Sequence, residues 1–150
     1  MSTSEFDFIV EFQDDVLRYC YFLSRDEVGA RYLAQETFLK ALSAKQIPHQ
    51  GKAYLFRIAK NLFIDLKRKS KSEDSYTRQI VKEESTAPPV DLGVWQALFS
   101  LSSEDQEILL LVDREELSLD ETADLIGISL AAAKSRLFRA RENFKNKWNS

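Results

Sequence analysis

Apolar residues recur three or four positions apart from Glu5 to about Leu66, as at Phe8, Phe12, Val16, Tyr19 and Leu23, without the alternation that a strand requires. That spacing predicts helices. One ends near Ser43, because IPHQG at residues 47–51 places Pro48 close to Gly51, and another opens after this break. Between Ser70 and Asp91 the periodicity lapses. The stretch KSEDSYTRQIVKEESTAPPVD is polar and sets Pro88 beside Pro89, which predicts a flexible linker. Helical spacing returns in LGVWQALFSL, SSEDQEILLLVDREEL and SLDETADLIGISLAAAKSRLFRARENFKNKW, and no internal repeat suggests a solenoid. The expected fold is all-α, with two small helical domains at residues 1–69 and 92–150 joined by a flexible linker at 70–91.

Two of the predicted helices carry outward faces with chemistry. In AYLFRIAKNLFIDLKRKSK, residues 53–71, a rotation of about 100° per residue groups Leu55, Ile58, Ala59, Leu62 and Leu66 on one side. Arg57, Lys60, Ile64, Lys67, Arg68 and Lys71 fall opposite with Asn61 beside them, and Tyr54, Phe56 and Phe63 lie on the borders. Lys and Arg neutralise phosphates, Asn reads a base edge, and aromatic rings stack on unpaired bases. A surface helix whose aromatics merely widen its core stripe would share the pattern. Further on, Ser118 and Glu121 have the spacing of a capping box, Gly127 suits a left-handed helix end, and Ser129 can cap the next helix. This is the layout of a helix-turn-helix. In its second helix Ala133, Leu137, Ala140 and Phe144 form the packing stripe, leaving Ala132, Ser135, Arg136, Arg139 and Asn143 outward with Lys134 and Arg141 flanking them as phosphate contacts. Small residues let the backbone approach a major groove in which Arg binds guanine.

Charge sharpens this picture. The 150-residue chain has a formal charge of −3, yet residues 51–72 hold seven Lys/Arg against one Asp/Glu, and residues 131–150 hold six against one. Residues 73–130 hold three against fourteen. Two basic patches in an acidic chain suit two polyanion contacts, because phosphate attraction is local and screened within about 10 Å at ordinary salt; a solvated charged face is the alternative.

Other chemistry is scarce. The single cysteine, Cys20 in YCYFL, reads as buried, and the single histidine, His49, leaves no metal cluster. No nucleophile stands with a base partner and no glycine-rich phosphate loop with its lysine, so an enzyme with a small-molecule substrate or cofactor is not expected. Asp14 with Asp15 and Glu115 with Glu116 read as solvated helix surface. The acidic start MSTSEFDFIVEF and the lack of an apolar run of about 18 residues predict a cytoplasmic protein without direct membrane insertion.

Three stretches, in order, carry a family resemblance: LAQETFLKAL at 33–42, AYLFRIAKNLFIDLKRK, and ELSLDETADLIGISLAAAKSRLFRAREN. They resemble the sigma factors of bacterial RNA polymerase, specifically the small extracytoplasmic-function (ECF) type of the sigma-70 family, over nearly the whole chain. The resemblance implies a region 2-like and a region 4-like domain that bind core RNA polymerase and promoter DNA, direct polymerase to promoters and assist melting. It implies core-polymerase contacts from Gln35, Glu36 and Phe38, with Thr37 in the same motif and Phe38 turned inward. Minus-ten contacts would come from His49, Gln50, Lys52, Tyr54, Arg57, Lys60, Asn61, Lys67 and Arg68. Minus-thirty-five contacts would come from Ser129, Ala132, Lys134, Ser135, Arg136 and Arg139, while the linker around Glu83 and Glu84 would thread toward the RNA path. An anti-sigma factor, often membrane-anchored in this family, is a further partner the resemblance allows. The chain departs from the family pattern at Gly29, Arg31 and Tyr32, where acids are usual, at Tyr54, where tryptophan is usual, and at Ala132 and Ala133. These departures keep an alternative open, a sigma-like regulator that binds DNA or a partner without directing polymerase.

Overall fold

The protein, described from a computed structural model over residues 3–44, 51–72 and 92–149, consists among those residues of helices joined by short turns. It divides into two units, residues 1–86 and 87–150. The first comprises α1 (Thr3–Ser24), α2 (Glu27–Ser43) and α3 (Gly51–Ser72), each packed against the other two. α3 runs past the expected domain end at residue 69, and residues 73–91 of the expected linker lie outside the described residues.

The periodicity becomes a core directly. Val16, Tyr19, Cys20 and Phe22 of α1 meet Ala30, Leu33, Ala34 and Ala41 of α2 and Leu55, Phe56, Ile58 and Ala59 of α3, all buried. Tyr19 stacks on Phe56 at 4.7 Å between ring centroids. Full burial of side chains such as Leu33 and Phe56 contributes about 1.5–3 kcal/mol each. Alanines at three positions of α2 let its backbone come close to its neighbours. Thr37, also buried, satisfies its hydroxyl by donating to Leu33 O at 2.7 Å.

The corner between α1 and α2 rests on one carboxylate. Arg25 adopts a left-handed conformation (φ 64°), which ends α1, and Asp26 then caps α2 by accepting from Gly29 N at 2.6 Å. A Cβ on residue 29 would lie 2.6 Å from Asp26 Oδ2. Gly29, one of the departures from the family pattern, thus leaves room for the Asp26 carboxylate where it sits over the start of α2.

The second unit comprises α4 (Leu92–Phe99), α5 (Ser103–Leu109) continuing into a π turn (Leu110–Arg114), α6 (Leu119–Ile126) and α7 (Leu130–Trp148). Leu98, Leu101, Ile108, Leu109, Ala123, Ala133, Leu137 and Ala140 form its core, with Phe144 among the partly buried residues around it. Buried Gln106 donates to Leu101 O at 2.7 Å and so closes the turn between α4 and α5. The wide turn is marked by Glu115 N–H donating to Leu110 O, five residues back, at 2.8 Å. Glu115 is only 1% exposed, contrary to the surface reading of that acid, because its spacing from Ile108 and Leu111 puts it on the buried stripe. Glu116 is exposed as expected, with a left-handed φ of 61°. Asp15 also departs from the solvated reading, being partly covered and paired with Arg18 and Lys52.

The helix-turn-helix signals hold in detail. Ser118 Oγ accepts from Glu121 N and Glu121 Oε1 accepts from Ser118 N, both at 3.0 Å, which completes the capping box. Gly127 ends α6 at φ 76°, and Ser129 Oγ accepts from Ala132 N at 3.1 Å to start α7.

Two outcomes are expected. Asp26→Ala lowers stability by about 1 kcal/mol, the usual worth of such a cap. Gly29→Ala, which in an ordinary helix interior gains about 1 kcal/mol, gains less here because the Asp26 carboxylate must give way; urea unfolding of both variants measures this, and the full gain would show that the carboxylate moves aside freely. Burial pushes the Cys20 thiol up to about 12 from 9.0, with a hydrogen bond to Thr37 opposing the shift. The folded state thus binds this proton more tightly than the unfolded one, so its contribution is intact below pH 9 and lost as pH rises from about 9 towards 12. Cys20 should resist alkylation near neutral pH until the protein is denatured, as mass spectrometry after iodoacetamide treatment would show.

Candidate nucleic-acid interface

α3 is anchored by its first half and exposed along its second. Every buried position lies between Gly51 and Ala59; from Lys60 to Ser70 none is buried. Leu66, expected on the packing side, is exposed, as is Ile64. Arg57, Asn61, Lys67 and Arg68 are exposed and Tyr54 and Lys60 half-buried, so these six occupy the outer surface as expected. Phe56 is not a border residue but core, covered by Tyr19, whereas Phe63 is half-buried with Lys67 Nζ 5.1 Å above its ring. Lys52 is committed elsewhere: its Nζ lies 3.3 Å from Asp15 Oδ2, a carboxylate that also holds Arg18 and ties the start of α3 to α1. His49 and Gln50 lie outside the described residues. The cations of the last turns, Lys67 to Lys69, also suit the negative end of the helix dipole.

α2 presents a second outer face. Gln35 is exposed, and Glu36 and Phe38 are half-buried. In line with Gln35 stand Val28, Tyr32 and Leu39, which are 67%, 52% and 53% exposed. Their spacing of four, seven and eleven residues from Val28 puts them in one stripe opposite Ala30, Leu33, Ala34, Thr37 and Ala41. A helix that is apolar on both sides is packed on one and offered to a partner on the other. Sequence reasoning missed Val28 and Leu39 because from this helix it took only the motif around Gln35 to Phe38 and the departures at Gly29, Arg31 and Tyr32.

On α7 the expected packing stripe is observed, with Ala133, Leu137 and Ala140 buried and Phe144 partly so. Ala132, Lys134, Ser135 and Arg139 are exposed, and Ser129 is exposed but spends its hydroxyl on the cap. Arg136 is half-buried with Nη2 3.9 Å from Glu104 Oε2, so it leans toward α5 and away from the outer face. Asn143 donates to Asp105 Oδ2 at 3.0 Å and Arg141 is held by Asp113, so two more residues read as outward-facing or flanking are engaged within the unit. Phe138, 68% exposed beside Lys134 and Arg139, has no role in the sequence reading of this face. The stripe at 133, 137, 140 and 144 leaves it out, which is the signal that would have found it.

Among the described residues no group of His, Cys, Asp and Glu could hold a metal ion, and no helix is long and apolar enough to cross a membrane. What the geometry offers is two helices with cationic, hydrogen-bonding and aromatic outer surfaces, each fixed to its own core, and a third helix with an apolar outer stripe.

Both units match known proteins. Residues 8–73 match the family model of Sigma-70 region 2, and residues 92–144 match that of Sigma-70, region 4. The chain is 32% identical over 148 residues to the ECF RNA polymerase sigma factor SigM of Bacillus subtilis (strain 168), covering 92% of this chain and 91% of that one. It is 29% identical to the RNA polymerase sigma factor YlaC of the same organism, covering 93% and 88% of the two chains. Among solved structures, the sigma factor RpoE from Bartonella quintana, in complex with the anti-sigma factor NepR, superposes with a TM-score of 0.76 at 26% identity, covering 94% of each chain. With both regions matched in order and the likeness to SigM spanning almost the full length of both proteins, the chain belongs to the ECF subfamily of sigma-70 RNA polymerase sigma factors.

Proposed function

We propose that this sigma factor directs core RNA polymerase to its promoters through three separate helix faces, and the pairing of two cationic outer faces with two small cores in a net acidic chain carries the reading. α2 docks on polymerase through Gln35, Glu36 and Phe38, and its apolar stripe of Val28, Tyr32 and Leu39 supplies the area that the polar residues lack. α3 grips the minus-ten element. Arg57, Lys60, Lys67 and Arg68 hold the backbone while Tyr54 and Asn61 contact bases, with His49 and Gln50 in the preceding loop and Lys52 bracing it from Asp15. Melting needs no covalent chemistry: unpaired bases gain contacts that the duplex cannot make, so binding favours the open strands. The protein acts as a non-enzymatic cytoplasmic factor.

α7 reads the minus-thirty-five element in the major groove. Arg139, exposed and with its guanidinium not engaged by Asp113 as that of Arg141 is, takes guanine; Ser135 and Lys134 contact the adjacent backbone; Ala132 and capped Ser129 allow close approach. Phe138 adds an apolar surface for a thymine methyl group. Arg136, drawn toward Glu104, sets the helix in place more than it reads sequence. Residues 1–69 and 92–150 act as the region 2-like and region 4-like domains, and 70–91 spans the distance between elements. The solved complex of the Bartonella quintana relative with NepR supports an anti-sigma partner for this chain as well.

Run-off transcription with purified core polymerase on a library of promoter fragments is expected to yield specific transcripts only when the protein is added. Identical transcripts with and without it would remove the initiating role. Arg139→Ala should weaken upstream recognition by about 1–3 kcal/mol and relax discrimination at one base pair; an unchanged promoter preference would take Arg139 out of the reading set. Lys67→Ala with Arg68→Ala should flatten the salt dependence of DNA binding by about 1.4 to 1.8 in log–log slope, two phosphate contacts' worth. A slope equal to wild type would show that these cations do not touch phosphate.

A further inference from the structure

Lys134, Arg141 and Lys145 stand on one flank of α7, seven and eleven residues apart from the first, and all three are exposed. Such a column is a track for a phosphate backbone. Its middle member is already occupied. Arg141 Nη2 lies 2.6 Å from Asp113 Oδ1 and Arg141 Nε lies 3.1 Å from Asp113 Oδ2, so both donors of one edge of the guanidinium are taken. The two-pronged grip of Arg on a carboxylate has the same geometry as its grip on a phosphate. Asp113 reaches this position from the π turn at Leu110–Arg114, 28 residues away in sequence.

We infer that Asp113 is an internal phosphate mimic that keeps Arg141 out of the DNA-backbone contact and thereby limits the affinity of the second unit for DNA of any sequence. The inference rests on the reading of α7 as the upstream-element helix. Both partners are half exposed, with 54% of the Arg141 and 42% of the Asp113 side chain accessible, so the pair is a surface device and not a strut of the core. A carboxylate within reach of the phosphate track also repels phosphate by itself. With Arg141 neutralised, attachment to DNA falls to Lys134, Lys145 and the base contacts. The factor then engages promoters when polymerase supplies the remaining hold, and competes poorly for bulk DNA on its own. Sequence selection benefits, since non-promoter sites vastly outnumber promoters.

The test is the salt dependence of binding of the full-length protein to a short duplex of scrambled sequence, for wild type, Asp113→Asn, Arg141→Gln and the double variant. Asp113→Asn should bind more tightly and show a slope steeper by about 0.9, the worth of one added phosphate contact. Arg141→Gln alone should keep the wild-type slope, and adding Arg141→Gln to Asp113→Asn should abolish the steepening. An unchanged slope in Asp113→Asn would overturn the inference, and so would a flatter slope in Arg141→Gln, since Arg141 would then already bind phosphate in the wild type. Either result with wild-type DNA binding intact leaves the reading of α7 standing. A wild-type protein with no DNA binding, alone or with polymerase, overturns both.

Discussion

The second helix of the helix-turn-helix, α7, is held to its unit by a stripe scarcely one residue wide. Ala133, Leu137 and Ala140 are its buried members, and two of the three are alanines. Small contacts bring the backbone close but resist rotation about the helix axis only weakly, because little side chain interlocks. Polar ties from α5 add to the resistance. Glu104 and Asp105 catch Arg136 and Asn143 on one flank. Exposed pairs of this sort contribute little to stability, typically about 0–1 kcal/mol each. Their effect is on direction: together with the buried stripe they set which residues of α7 face outward.

The first unit meets the same demand differently. α3 is seated by its first half, with Leu55, Phe56 and Ala59 fully covered and Lys52 tied to Asp15 of α1. That depth lets the second half remain unburied and cationic without loss of the helix. α2 faces two ways, giving its alanines and Leu33 to the core and Val28, Tyr32 and Leu39 to the outside. Asp26 fixes where α2 begins, and so fixes the register of both faces at once.

The fold was legible in the sequence wherever its causes are local. Ser118, Glu121, Gly127 and Ser129 each act within a few residues of themselves, so their roles could be read from spacing alone. Pairings across the fold could not. Asn143 with Asp105 and Arg141 with Asp113 join residues that no periodicity links, and without them Arg141 and Asn143 read as outward residues available to DNA. Phe56 shows the limit of a helical wheel, which places a residue at a border but does not say which neighbouring helix covers it; here Tyr19 does. Glu115 shows a different limit. Its spacing marked it as buried, and its charge argued otherwise.

The seclusion of Cys20 has a practical side. It is the chain's one cysteine, and it sits beneath Thr37 in the first core. A cysteine introduced at an exposed position would therefore be the sole reactive thiol without any need to remove the native one. Exposed Ser43 in the first unit and Asn149 in the second are suitable attachment points for a donor and an acceptor dye. Energy transfer between them would turn the spacing of the two units into an optical signal, readable in the isolated factor and again as it assembles with polymerase and promoter.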